Sequence, residues 1–142
     1  VSLRNGKMVR LAPGTPTIVD EVPVGRFYKD GSLIGTSREM GIDERRRLSF
    51  SGHVSVLVEL SAKLELEVDP EIVCMGLPTR DAEGEEFTEI LLDAAAGAVE
   101  SIPRGRRKDL ELVREAVRRA VRGEANDAWG KKPAVTVFVV RN

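Results

Sequence analysis

In HVSVLVEL, residues 53–60, Val54, Val56, Val58 and Leu60 alternate with His53, Ser55, Leu57 and Glu59, a period of two that predicts a half-buried strand. KLELEV, residues 63–68, alternates in the same way and predicts a second strand. Ser61-Ala62 joins the two closely enough for an antiparallel hairpin, without the usual Asn-Gly or Asp-Gly pair. After Asp69-Pro70, EIVCMGL predicts a third short strand that stops at Pro78. From Glu85 the period changes. Phe87, Ile90, Leu91, Ala94, Ala95, Ala98, Val99 and Ile102 recur at threes and fours, which predicts an amphipathic helix ended by Pro103 and Gly105. A second helix is expected with Leu110, Val113, Val117, Ala120 and Val121 inward and Gly123 as its C-terminal stop. The closing AVTVFVV is apolar on both faces and predicts an interior strand.

The order from residue 53 is β-β-β-α-α-β, an α+β class in which two helices cover one face of a small mixed sheet. Upstream, MVRL and TIVDEVP predict extended segments around the Pro13-Gly14 turn, and VPVGRFYKDG a strand ending in a tight turn at Lys29-Asp30-Gly31. Residues 31–43 read as irregular, and IDERRRLSF as a helical turn capped by Asp43.

Composition narrows the class. A chain of 142 residues with 42% hydrophobic and 32% charged positions buries roughly two-thirds of its unfolded surface without a staple. No apolar run approaches the roughly 20 residues of a membrane span, so no membrane partner is expected. The single cysteine, Cys74, lies in an apolar run and suits a buried thiol in a reducing, cytoplasmic compartment. Val1, with no leader after it, suggests a piece of something larger. Net charge is -1, but residues 1–58 carry nine basic and six acidic groups, 59–103 two and twelve, and 104–142 eleven and five. A fold that brings the first and third segments together would have one positive and one negative side.

Most catalytic chemistry lacks its residues here. One histidine, His53, is too few for a histidine-built zinc site, so neither a catalytic nor a metal-ligating residue is expected in this chain. There is no phosphate-binding Gly-rich loop, no cysteine pair and no Gly-x-Ser-x-Gly elbow. The acidic DAEGEE run, 81–86, lacks calcium-loop spacing and suits the positive end of the following helix. A carboxylate-based enzyme site within 65–93 is the weakest reading.

The basic groups carry more. Arg104, Arg106, Arg107 and Lys108 fall between the helices, and Arg114, Arg118 and Arg122 recur at four along the second helix. That stripe suits contacts to RNA phosphates or a partner, and equally a solvated face paired with Glu111 and Glu115. Arg45, Arg46 and Arg47 add to the positive side, while Phe27, Tyr28, Trp129 and Phe138 read as packing anchors.

Four segments in order are similar to the C-terminal part of the ribonuclease J family of metallo-β-lactamase and β-CASP nucleases. They are VPVGRFYKDG after NGKMVRL, ERRRLSFSGHVSVLVEL, DPEIVCMGLP and KKPAVTVFVV. SLIGTSREMGI departs from the family's Gly- and Asp-rich linker, and Leu77-Pro78 stands where an aromatic residue is common. The resemblance implies residues 1–35 as the end of the catalytic body, 36–43 as a linker and 44–142 as the C-terminal α+β domain. It also implies a parent that is a zinc-dependent 5′-to-3′ exoribonuclease and endoribonuclease of RNA maturation and decay. The family's His-x-His-x-Asp-His motif is not among these residues, so this chain is expected to be inert alone, serving homo-oligomerisation and support of activity, with RNA contact through 104–122 as the alternative.

Overall fold

The computed structural model describes residues 2–142, which divide into two compact units, one ending at Asp43 and one of Glu44–Asn142. The first holds two antiparallel hairpins, β1 (Lys7–Arg10) with β2 (Thr17–Glu21) and β3 (Tyr28–Asp30) with β4 (Leu33–Gly35). Gly31, at φ +59°, makes the second turn between Asp30 and Leu33, as the Asp-Gly pair predicts. Residues 31–43 are more ordered than expected. Beyond β4, the Thr36 amide donates to Glu39 Oε2 at 2.9 Å while the Glu39 amide donates to Thr36 Oγ1 at 3.3 Å, a reciprocal box that organises the turn leading into α1 (Ile42–Ser51). Asp43 lies inside that helix rather than capping it, and accepts from Ser37 Oγ at 3.0 Å.

The second unit is built on β5 (His53–Leu60), whose alternate residues Val54, Val56, Val58 and Leu60 are buried. β6 (Glu71–Met75) pairs antiparallel along one edge of β5 and β7 (Ala134–Arg141) parallel along the other. Between them, α2 (Phe87–Ser101) lies against β6 and α3 (Leu110–Trp129) against β7, so both helices cover one sheet face. The α+β architecture is as the periodicity predicts. Phe87, Leu91, Ala95 and Val99 of α2 meet Val113, Val117, Val121 and Ala125 of α3 over the inward valines of β5.

Three expectations need correction. KLELEV is no strand, because β7 takes one edge of β5 along its whole length and β6 takes the other over His53–Leu57. Only a bridge from Leu60 to Leu66 remains, in a turn where the Leu64 amide donates to Ser61 O at 2.8 Å and Leu64 takes φ +63°. β7 is an edge strand rather than an interior one. Its second apolar set, including Phe138 and Val140, faces away from the helices. Finally, α3 runs through Gly123 to Trp129. A mid-helix glycine costs only about 1 kcal/mol, and Ala125 continues the buried face. The stop is Gly130, at φ +78°, whose amide donates to Asn126 O at 2.7 Å.

Candidate functional site: a bare sheet face and a basic rim

Sheet residues that alternate inward also alternate outward, and the helices α2 and α3 leave the outer set uncovered; at its His53–Met75 end Glu44 and Leu48 of α1 flank it, lining a cleft of about 590 Å³ with His53, Met75 and Thr136. Val73 and Met75 on β6 are 60% and 66% exposed, and Phe138 and Val140 on β7 are 56% and 41% exposed. The half-buried Leu57 lies between them, beside Phe138 on one side and Glu71 on the other. His53 belongs to this face and its Nε2 lies 2.9 Å from Thr136 Oγ1. The free edge of β7 is partly closed, since Arg114 Nε donates to Val137 O at 3.1 Å.

The basic residues separate by what they hold. Arg104 Nε donates to Lys63 O at 2.7 Å and its guanidinium pairs with Glu65 at 2.9 Å. Arg107 donates to three carbonyls, Ile102, Leu64 and Glu100, at 2.9–3.2 Å, and thereby closes the C-terminal end of α2 onto the Leu64 turn. Arg114 also pairs with Glu111. These three arginines therefore fasten backbone. Arg106 and Lys108 project from the exposed loop around the 3₁₀ turn Arg104–Arg106.

Arg118 grips Glu115 with two hydrogen bonds of 2.8 Å, and Arg119 adds a third at 2.9 Å. Arg118 in the first place, with Arg119, holds the Glu115 carboxyl down at about 2, against an ordinary 4.5. Unfolded, Glu115 titrates near 4.5, so these pairs contribute above that pH and are lost as pH falls to about 2. An NMR titration is expected to place the Glu115 midpoint near 2, and Arg118→Ala to move it up toward 4.5.

Arg122 meets residues the stripe alone does not reveal. A cleft of about 340 Å³ is lined by Arg118 and Arg122 of α3, Arg47 and Phe50 of α1, and Lys132. A smaller cleft of about 170 Å³ shares Arg118, Arg122 and Lys132 and adds Arg119 and Gly123. The triple arginine of α1 and Lys131-Lys132 are visible as basic runs in the sequence; their convergence on Arg122 is a tertiary fact.

The acidic run is structural. Burial pushes the Asp81 carboxyl up, but hydrogen bonds centred on the amides of Glu85 and Glu83, at 2.8 and 3.0 Å, leave it below the ordinary value. Burial also raises the Cys74 thiol, against a lowering contact with Thr88, which leaves it a poor nucleophile. No group of three His, Cys, Asp or Glu side chains among the described residues could hold a metal ion, and no helix there is long and apolar enough to cross a membrane.

The fold and these contacts define a small α+β domain whose sheet is covered on one side only. Residues 40–142 match the family of ribonuclease J C-terminal domains, and the chain belongs to that family. It is 59% identical over 139 residues to a ribonuclease J of Sinorhizobium meliloti (strain Sm2011 / Rm2011 / 2011). The match covers 98% of this chain and 25% of that relative, so the chain spans about a quarter of the curated protein's length.

Proposed function

We propose that this chain is the non-catalytic C-terminal region of a ribonuclease J-type RNA nuclease, and that its second unit mediates homo-oligomerisation and so supports the parent's activity. The bare apolar face of the sheet carries this reading. With Val137 O occupied by Arg114, face-to-face sheet packing is better served than pairing along β7. A second copy suits the face because apolar side chains stand on both outer strands. A twofold axis would set Phe138 and Val140 of one copy against Val73 and Met75 of the other.

Residues 1–35 are then the last strands of the catalytic body and 36–43 the linker. The hairpins and the segment joining them leave Ile18, Val22, Phe27 and Ile34 exposed, as part of a larger sheet would be when taken alone. In the parent, the catalytic residues and zinc belong to the remaining length, where RNA would be cut in a cytoplasmic pathway of maturation and decay. No group of three His, Cys, Asp or Glu side chains among the described residues could hold zinc, which supports placing that metal in the remaining length.

Sedimentation equilibrium at about 0.1 and 0.5 M salt tests the assembly reading. A dimer insensitive to salt is expected, and Val73→Asp or Phe138→Asp should raise its Kd by about a hundredfold, roughly 2.7 kcal/mol. A chain monomeric at both salts, or a dimer indifferent to both substitutions, overturns it.

A further inference from the structure

Arg47, Arg122 and Lys132 approach one another from α1, α3 and the loop before β7, and none has a carboxylate partner among the described residues. No acidic residue lines either cleft. Convergent cations repel, whereas Arg104, Arg114 and Arg119 each have a carboxylate beside them, Glu65, Glu111 and Glu115. Unpaired positive charge gathered from three elements around a cavity favours an anion held there.

We infer that this cleft binds successive phosphates of single-stranded RNA, with Arg47, Arg118, Arg122 and Lys132 as the phosphate contacts and Phe50 as a base-stacking ring. Two observations select this chemistry. First, the two clefts are contiguous through Arg118, Arg122 and Lys132, an arrangement for neighbouring phosphates rather than one isolated ion. Second, Phe50 lines the larger cleft while 67% exposed. Lys131 Nζ stands 4.3 Å from its ring centroid and donates to its carbonyl at 3.0 Å, which holds the ring at the rim. An aromatic ring beside guanidinium groups is what an unstacked base and its phosphates require. Arg118 keeps its Glu115 bonds and is the weakest of the four contacts, leaving Arg122 and Lys132 as the principal ones.

The phosphate chemistry stands on geometry alone; the choice of RNA rests on the nuclease reading above. Fluorescence anisotropy of the 142-residue chain with a labelled single-stranded RNA of about 12 nucleotides separates the two. The chain should bind, and R122E/K132E should lose about tenfold or more at 0.1 M salt, with the log-log salt slope reduced by about 1.4 for two lost contacts. R106E/K108E, which reverses the same charge in the exposed loop, should keep the parent slope. R122A/K132A should show a smaller loss in the same direction, with circular dichroism confirming that each variant is folded. Equal losses in the two reversal variants, or no RNA binding, overturn the inference. Binding of inorganic pyrophosphate without RNA overturns the RNA assignment and leaves a small-phosphate site. A monomer that binds RNA through Arg122 and Lys132 counts against the assembly reading only, and a dimer that does not bind RNA counts against this one only.

Discussion

Gly52→Ala is expected to destabilise the second unit by about 3 kcal/mol or more, read as a lowered urea midpoint with an unchanged slope. Gly52 stands where four elements meet. Its amide donates to Leu48 O at 2.7 Å and ends α1, and β5 begins at the next residue. Its carbonyl accepts from the Ala134 amide at 3.1 Å where β7 begins. At φ +70° any L side chain there costs about 1–2 kcal/mol. A Cβ would also lie 2.5 Å from Met75 O and 2.8 Å from Gly76 O, backbone atoms at the end of β6 that cannot step aside without unpairing the strand. Gly130→Ala separates the two contributions. It has φ +78° but nothing within 4 Å of the added Cβ, so it should cost only the conformational part, about 1–2 kcal/mol. Equal effects at both glycines would show that the approach of β6 is not what demands glycine at position 52.

That junction marks how far the sequence could be read. The alternation in HVSVLVEL and the three-four spacing of both helices are local records of burial, and the structure buries those same side chains. KLELEV carries the same local record without the outcome, since a strand has two edges, and β7 takes one of β5 along its whole length and β6 the other over His53–Leu57. AVTVFVV misled in another way. Apolar residues on both faces identify a strand whose two sides need cover, but not whether the cover is this chain or another. Phe138 and Val140 are turned away from the chain's own helices. For the basic groups, spacing placed Arg114, Arg118 and Arg122 on one helix without showing that Arg114 is spent on Val137 O and Arg118 on Glu115, while Arg122 joins Arg47 and Lys132. Which guanidinium meets a carbonyl and which meets solvent depends on loops that periodicity does not describe.

Phe87→Ala should cost about 3–5 kcal/mol and is the largest loss expected from a single core truncation here. Phe87 opens α2 and is anchored on both sides: its amide donates to Thr79 O at 2.9 Å, and its ring meets Trp129 edge-on at 6.2 Å and 82°. The pair joins the first residue of α2 to the last of α3, so it closes the helical layer at one end, where each helix has only a single turn to contribute. Truncation leaves a cavity that β5, rigid between two paired neighbours, cannot collapse to fill. Phe87→Leu keeps most of the volume and removes the ring contact, so its cost should fall to about 1–1.5 kcal/mol. Because α3 also carries Arg118 and Arg122, a loosened C-terminal end should weaken the basic cleft while leaving Val73 and Phe138 on the opposite sheet face in place. Thermal melts of Phe87→Ala and Phe87→Leu, run beside RNA titrations and sedimentation below each melting point, check this. RNA affinity should decline with the size of the truncation, and self-association should persist until the unit unfolds.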